Sequence, residues 1–217
     1  MRRLIAYGCS FTYGDGLEDC WNVKKKIPGD NPSKLAWPQI LADKLGIECV
    51  NLGKSGNSIK YIVNTVLETE FKKDDVVAFL WPYFSRTCFF QDDGSERRLN
   101  VNALRGWSRD IHEKRYARDY YERYFTETDA LRDGYLFINL ANYHLTSLGI
   151  KSYHYSAHHS EVDELVNPSS PVWSDVTILP RTFSFVDKAL DNMHPGIKSH
   201  NLLAEGMYND ITGSSHE

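Results

Sequence analysis

The sequence lacks any hydrophobic run that approaches the roughly 18 apolar residues of a membrane-spanning helix. Its first apolar segment, residues 4–7, is also shorter than the apolar region of a signal peptide. We therefore expect a cytoplasmic protein that has no membrane partner.

Neither sign of charge is in large excess, since 25 Lys and Arg oppose 29 Asp and Glu and give a net charge of −4 at pH 7. Such a chain has no positive field to attract a polyanion, so we expect no nucleic-acid partner. Glycine and proline are also few, at 14 and 8 of 217 residues. This scarcity excludes collagen-like and low-complexity disordered chains.

Metal-binding and redox cysteine motifs are absent. The four cysteines, at positions 9, 20, 49 and 88, have no close paired spacing, and we expect them to be reduced core residues. Another group has metal-ligating side chains: His154, His158, His159, Glu161 and Asp163. These residues fall on a predicted loop without the i, i+4 helical placement of a zinc site, so the sequence predicts neither a metal nor another cofactor.

Aromatic residues are the one excess, because 13 Tyr, 10 Phe and 5 Trp make up 13% of the chain. This content indicates either a bulky core or a surface that contacts a ligand. Tyr116, Tyr120 and Tyr124 are spaced four apart, as on one stripe of a helix, and we expect them to pack against the protein.

Apolar runs alternate with amphipathic stretches along the chain. The predicted strands are residues 4–7, 47–52, 76–81 and 150–155, and the predicted helices are residues 37–45, 59–71, 131–148 and 197–208. This alternation predicts an α/β fold whose parallel sheet is covered on both faces. The length suits one domain over residues 1–217, with insertions near 86–126 and 156–185. In such folds ligands bind beyond the carboxyl ends of the strands.

Ser10 follows the first predicted strand and is expected to face that ligand crevice. A serine hydroxyl becomes a nucleophile when a base lies within hydrogen-bond reach and a third group orients the base. Asp191 and His194 can supply both groups, because a carboxylate three residues away on a tight turn reaches one ring nitrogen. The alternative is that His194 is an ordinary surface residue of the turn.

The segment NLGKSGNS, residues 51–58, follows the second predicted strand. Gly56 can direct a backbone N–H, and Asn57 a side-chain amide, toward a developing oxyanion. The alternative is a sharp strand-to-helix turn in which Ser55 or Ser58 caps the helix. The segment matches neither glycine-rich phosphate-binding pattern. The G-x-S-x-G motif is also absent, because Thr12 occupies the place of its second glycine.

Taken together, these motifs resemble the SGNH hydrolases, also called the GDSL-like lipase and acylhydrolase family. The matching segments are GCSFTYG at 8–14, Trp37-Pro38 before a helix, NLGKSGNS at 51–58 and DNMHP at 191–195. They occur in the family's order over nearly the whole chain. The resemblance implies a flavodoxin-like three-layer α/β/α sandwich and ester hydrolysis through an acyl-serine.

The same resemblance assigns roles to individual residues. Ser10 is the implied nucleophile, His194 the general base and Asp191 the residue that orients it. The backbone N–H groups of Ser10 and Gly56, with Asn57 beside them, are the implied oxyanion donors. The string Trp81-x4-Arg86 with its following aromatic helix further resembles a branch of the family found in bacteria and their phages.

One motif departs from the family. SGNH hydrolases usually carry G-x-N-D after the third strand, with its Asn as an oxyanion donor, whereas this chain has LWPYFSR at 80–86. Tyr83 lies nearest the missing Asn by register, and Asn57, Tyr83 or Arg86 can substitute for it. Loss of one oxyanion donor typically lowers kcat by about 10²–10³-fold.

Two functions from different classes follow. The first is a serine esterase acting on a small acyl ester, such as an acetyl group on a carbohydrate. The second is a catalytically weak or inactive carbohydrate-binding module with the same fold. The expected substrate-binding residues are Trp81, Tyr83, Arg86 and His158, while Asp15, Glu18, Asp19, Asp92 and Asp93 are expected to be solvated loop charges. The oligomeric state stays open.

Overall fold

A parallel β-sheet forms the centre of the protein in the computed structural model, which describes residues 2–101, 111–157 and 176–213. In chain order the elements are β1 (Arg3–Gly8), α1 (Ser10–Tyr13), β2 (Trp21–Asn22), β3 (Ile27–Pro28), α2 (Trp37–Leu45), β4 (Glu48–Asn51), α3 (Ile59–Glu68), β5 (Val76–Trp81), β6 (Thr87–Phe90), β7 (Glu96–Leu99), α4 (Ile111–Arg123), α5 (Glu127–Ser147), β8 (Lys151–Ser156), β9 (Ile178–Leu179) and α6 (Ile197–Thr212).

The described part of the sheet has five strands in the order β4-β1-β5-β8-β9, and every neighbouring pair is parallel. Strands β1 and β5 consist mostly of apolar residues and are buried along nearly their whole length, as expected for strands covered on both faces. Because the strands run in one direction, their carboxyl ends lie at the same edge of the sheet.

Successive side chains of β5 point to opposite faces of the sheet and pack under different pairs of helices. Val77 and Phe79 belong to the core beneath α3 and α5. Val76 and Ala78 belong to the core beneath α2 and α6. The resulting three-layer α/β/α arrangement confirms the predicted fold class.

The elements that differ from the sequence-based expectation include α5, β9 and the two short hairpins β2–β3 and β6–β7. Helix α5 begins earlier than residue 131, because the Thr126 hydroxyl caps it by accepting the Asp129 N–H at 3.2 Å. The predicted loop 156–185 contains β9, whose backbone pairs with the edge of β8. Parts of both predicted insertions, residues 102–110 and 158–175, lie outside the described residues, and the single-domain assignment stays a prediction.

No helix in the described ranges combines the length and the apolar character needed to span a bilayer.

Candidate active site

A cavity of about 450 Å³ opens at the carboxyl edge of the sheet. The loops that follow β1, β4 and β5 contribute to its wall, together with the turn that precedes α6. Six of the residues predicted from the sequence line it: Ser10, Gly56, Tyr83, Arg86, Asp191 and His194. The topology therefore brings together residues from both ends of the chain.

Ser10 is the first residue of α1, directly after β1, and only 5% of its surface is exposed. Its hydroxyl lies 4.0 Å from the Cys9 sulfur. Asn51 fixes the short helix to the end of β4, since its side-chain amide donates to the Thr12 carbonyl at 2.7 Å. One hydrogen bond thus joins two motifs through residues that are 39 positions apart in the sequence.

Asp191 and His194 contact each other within a tight turn. The Asp191 Oδ1 atom accepts the backbone N–H groups of Met193 at 2.9 Å and of His194 at 3.0 Å. The Oδ2 atom lies 2.5 Å from His194 Nδ1. The sequence-based expectation that this carboxylate reaches the imidazole agrees with these distances.

The charge state of Asp191 decides which ring nitrogen remains available. Burial by itself would raise its pKa, but the hydrogen bonds from the backbone and ring of His194 and from the Met193 N–H lower the pKa below its ordinary value. An ionised carboxylate only accepts hydrogen bonds, so His194 Nδ1 carries the proton. The Nε2 atom is therefore the ring nitrogen left to accept a proton.

No hydrogen bond joins Ser10 to His194, although both residues are described and line the same cavity. The His194 ring packs edge-on against Phe11, the neighbour of Ser10, with ring centroids 5.7 Å apart. The hydrogen bond between a nucleophile and its base is often long or poorly aligned without substrate and commonly tightens when the substrate binds. Asp191 and His194 are paired, and Ser10 lines the same cavity without a hydrogen bond to either of them.

Two backbone N–H groups in the cavity wall have no acceptor. Neither the Ser10 nor the Gly56 amide donates a hydrogen bond within the described residues. Gly56 has a φ of 73°, in the left-handed region that favours glycine. Such donors suit a site where negative charge develops on a substrate oxygen.

Two sequence-predicted site residues lie elsewhere. The Asn57 side-chain amide donates to the Gly8 carbonyl at 3.1 Å and the residue is 1% exposed, so it holds two loops together and does not line the cavity. Trp81 is also 1% exposed, and its indole N–H donates to His154 Nδ1 at 3.2 Å. As the last residue of β5 it points into the core beneath α3 and α5. The expected oxyanion role of Asn57 and substrate-binding role of Trp81 are therefore corrected.

The loop after β5 contributes Tyr83 and Arg86 to the cavity. The Arg86 guanidinium lies 5.2 Å from the Tyr83 ring centroid. Its buried Nε and Nη1 atoms have no hydrogen-bond acceptor in the described structure. Arg86 thus brings a positive charge to the cavity wall. His158, the remaining predicted substrate-binding residue, lies outside the described residues.

Asp15 belongs to the site, and the expectation of a solvated loop charge was wrong. It lines the cavity and is 3% exposed. Its Oδ2 atom accepts the Ser55 hydroxyl at 2.6 Å, while its buried Oδ1 atom has no partner. Burial raises its pKa, the Ser55 hydrogen bond and His194 act in the opposite direction, and Asp191 adds repulsion. The sequence signal that could have placed Asp15 in the site was its position directly after the serine motif at 8–14.

The tyrosine stripe was expected to pack, but its two outer residues are exposed. Tyr120 packs against the small core of Leu99 and Ala117. Tyr116 is 47% exposed and Tyr124 is 71% exposed, and both line a second cavity of about 420 Å³ with Phe89.

Metal-ligating residues do not cluster in the described ranges, where no group of three His, Cys, Asp or Glu side chains could hold an ion. His154 is buried on β8, where burial lowers its pKa to about 3. His159, Glu161 and Asp163 lie outside the described residues.

Solved structures with similar folds include three carbohydrate-active enzymes. One is a carbohydrate esterase described as having divergent catalytic and non-catalytic binding functions, with a TM-score of 0.58, 12% identity and coverage of 99% of this chain and 65% of that chain. The chain has the fold of these esterases. The SGNH-hydrolase fold expected from the sequence motifs is thereby confirmed.

Two further structures carry the same fold. An acetyl xylan esterase from the rumen bacterium Butyrivibrio proteoclasticus has a TM-score of 0.54 and 14% identity, over 98% of this chain and 63% of that chain. A carbohydrate esterase family 2 enzyme with a carbohydrate-binding domain, from Corynascus thermopiles (Myceliophthora fergusii), has a TM-score of 0.54 and 14% identity, over 98% of this chain and 66% of that chain. The chain thus spans slightly less than two thirds of each solved structure. No protein-family model and no curated protein matches the sequence.

Proposed function

We propose that this protein is a serine ester hydrolase in which Ser10 is the nucleophile, His194 the general base and Asp191 the orienting carboxylate. The observation that carries the proposal is the 2.5 Å contact between His194 Nδ1 and Asp191 Oδ2, made within the cavity that Ser10 lines. A base held in one tautomer beside a serine hydroxyl is the arrangement that nucleophilic acyl transfer needs.

In the acylation step, the Ser10 oxygen attacks the ester carbonyl carbon while His194 Nε2 takes the hydroxyl proton. The carbonyl oxygen becomes an oxyanion, and the N–H groups of Ser10 and Gly56 donate to it. The charged imidazolium is stabilised by Asp191. His194 then gives the proton to the leaving alcohol oxygen as the tetrahedral intermediate collapses to an acyl-serine.

Deacylation repeats these steps with water as the nucleophile. His194 Nε2 takes a proton from the water as its oxygen attacks the acyl carbon. Collapse of the second intermediate releases the carboxylic acid, and the proton returns to the Ser10 oxygen. No cofactor enters this sequence of steps.

The proposed substrate is a small acyl ester carried by a carbohydrate, such as an acetyl group. The similar solved structures are described as carbohydrate or acetyl xylan esterases, which supports this class. The cavity wall supports it too, because Asp15 and Arg86 can pair with hydroxyl groups while Trp21 and Tyr83 present aromatic surface.

Hydrolysis of p-nitrophenyl acetate by the wild type, Ser10→Ala and His194→Ala tests the proposal. We expect each substitution to lower kcat by at least about 10³-fold, because the triad acts as a unit. Matched controls are Ser147→Ala and His144→Ala on α5, which do not line the cavity and should retain activity. Release of acetate from acetylated xylo-oligosaccharides tests the carbohydrate class.

Hydrolysis that survives both Ser10→Ala and His194→Ala would overturn the proposed triad. A wild-type chain that neither hydrolyses the ester nor is labelled at Ser10 by a fluorophosphonate would favour the carbohydrate-binding module.

A further inference from the structure

The peptide group between Ser55 and Gly56 is held from outside the cavity. Its carbonyl oxygen, on Ser55, accepts a hydrogen bond from Arg98 Nη1. The Ser55 hydroxyl is held separately, since it donates to Asp15 Oδ2 at 2.6 Å. Arg98 lies on β7 and is not part of the cavity wall.

The direction of the Gly56 N–H follows from this contact. None of the described peptide bonds is cis, and in a trans peptide the C=O and N–H bonds point in opposite directions. A carbonyl directed at Arg98 therefore directs the Gly56 N–H away from Arg98. Gly56 itself lines the cavity, and its amide has no acceptor among the described residues.

The guanidinium charge also affects the strength of this donor. A cation at the carbonyl oxygen draws electron density through the peptide group and makes its N–H more positive. Hydrogen bonds linked through one polar group strengthen each other in this way. Arg98 thus favours an oxyanion on the far side of the peptide without touching it.

Arg98 is held in place by its own surroundings. It pairs with Cys88 in the antiparallel hairpin of β6 and β7. Its Nε atom lies 3.9 Å from Glu96 Oε1, and the same carboxylate oxygen lies 2.5 Å from Lys54 Nζ. The hairpin therefore contacts the loop after β4 at two successive residues, Lys54 and Ser55.

We propose that Arg98 is a positioning residue of the oxyanion hole, which holds and polarises the Ser55–Gly56 peptide so that the Gly56 N–H projects toward the substrate oxygen. This inference rests on the proposed hydrolase function. The β6–β7 hairpin would then contribute to catalysis indirectly, because it carries the Arg98 guanidinium that orients the Gly56 N–H on the loop after β4.

Kinetics of Arg98→Ala, Arg98→Lys and the control Arg97→Ala test the proposal. Arg97 is the matched control because it neighbours Arg98 on β7, carries the same charge and stacks on Tyr116. We expect Arg98→Ala to lower kcat by about 10–100-fold with KM little changed, since deleting an oxyanion donor outright typically costs about 10²–10³-fold. Arg98→Lys keeps a charged donor and should recover most of the loss.

A second readout does not depend on turnover. In protein labelled with ¹⁵N-glycine, which has 14 glycines, we expect the Gly56 amide resonance to move in Arg98→Ala and to stay in place in Arg97→Ala. The resonance is assigned by its loss in Gly56→Ala. Thermal unfolding of both arginine variants checks that each is folded.

The inference is overturned if the wild type is active while Arg98→Ala matches Arg97→Ala in kcat and in the Gly56 resonance. That outcome leaves the proposed hydrolase function standing. The inference is also overturned if Arg98→Lys is as slow as Arg98→Ala and the Gly56 amide resonance of Arg98→Ala stays at its wild-type position. A wild type without esterase activity instead removes the proposed function, and this inference with it.

Discussion

At the scale of single residues, Asp15 is a carboxyl group that folding buries, since only 3% of its surface stays exposed. It lies in the cavity wall with one oxygen bonded to Ser55 and the other unpartnered. A buried carboxylate is costly unless its oxygens are paired. The negative charge of Asp191 adds to that cost, so ionised Asp15 opposes folding.

Replacing Asp15 with Asn should stabilise the protein at pH 7. Burial raises the pKa of Asp15 in the folded protein above its value of about 3.9 in the unfolded chain. The ionised carboxylate therefore does not lower the free energy of unfolding below about pH 3.9, and it lowers that free energy increasingly as the pH rises to the pKa of the folded protein. We expect Asp15→Asn to raise the unfolding midpoint by about 2–4 °C at pH 7, the shift that about 1 kcal/mol produces at this chain length. The gain should disappear near pH 3.

Thermal unfolding between pH 3 and 8 measures this effect, with the exposed Asp19→Asn as the control. A lower midpoint for Asp15→Asn at pH 7 would contradict the prediction. Such a result would mean that the carboxylate charge makes a favourable interaction which outweighs its burial.

At the scale of elements, helix α5 positions the loop that follows β5. Phe84 of that loop is 7% exposed and packs against Tyr135 of the helix, with ring centroids 6.0 Å apart. A Cβ atom at Gly134 would lie 1.9 Å from Phe84 Cδ1, so only glycine leaves room for the ring. The same loop carries Tyr83 and Arg86 into the cavity.

Gly134→Ala should therefore displace this loop and destabilise the protein. Alanine in a helix interior gains about 1 kcal/mol over glycine, whereas overpacking costs about 1–3 kcal/mol. Because the overlap at 1.9 Å is severe, we take the upper end of the overpacking cost and expect a net loss of about 2 kcal/mol in the free energy of unfolding. We also expect a raised KM, because Arg86 moves with the loop. Denaturant unfolding and ester kinetics measure the two effects.

Phe84→Leu in the Gly134→Ala background supplies a compensating variant, since the smaller side chain makes room for the new methyl group. Its recovery of part of the stability would support the steric account. Equal stability of Gly134→Ala and the wild type would refute it.

At the scale of the whole molecule, the amino edge of the sheet carries a stabilising ion pair far from the chemistry. Arg3 on β1 holds Asp75, just before β5, with Nη2–Oδ2 and Nε–Oδ1 distances of 2.5 and 3.0 Å. Burial works against ionisation of Asp75, but Arg3 and the Lys72 N–H lower its pKa below the usual value. This contribution to stability is fully present above the pKa that Asp75 has in the unfolded chain. It is lost as the pH falls through the lower pKa that Asp75 has in the folded protein.

Arg3→Met should lower stability without changing the chemistry. We expect a loss of about 2–3 kcal/mol at pH 7, because Asp75 stays buried and loses its cationic partner. Removing one partner of a fully buried pair costs about 3–5 kcal/mol, and 17% of the Arg3 side chain is exposed. The kcat of the folded protein for the proposed ester hydrolysis should stay unchanged, since the cavity lies at the opposite edge of the sheet. Denaturant unfolding and kinetics on the folded protein check both statements.

Lys44→Met is the matched control, because the Lys44–Glu205 pair is exposed and such pairs contribute about 1 kcal/mol or less. A loss for Arg3→Met no larger than that for Lys44→Met would contradict the prediction.

Local patterns in the sequence were sufficient for the order of the four predicted strands of the central sheet and the helices between them. The apolar runs of β1 and β5 and the amphipathic period of α2 are decided by neighbouring residues, and these elements formed where they were predicted. The motifs around Ser10, Gly56 and His194 likewise lie at the carboxyl edge that strand direction alone predicts. Short elements were missed, because the two residues of β9 are held by pairing with β8 and not by their own pattern.

The sequence by itself determined the α/β class and the candidate serine, histidine and aspartate, because strand periodicity and turn chemistry are local properties. Only the tertiary structure decided that Asp15 is buried in the cavity wall, that Trp81 and Asn57 are not part of it, and that Arg98 holds the Gly56 peptide. Burial and long-range contact depend on which elements pack together. A residue's neighbours in sequence do not by themselves determine that packing.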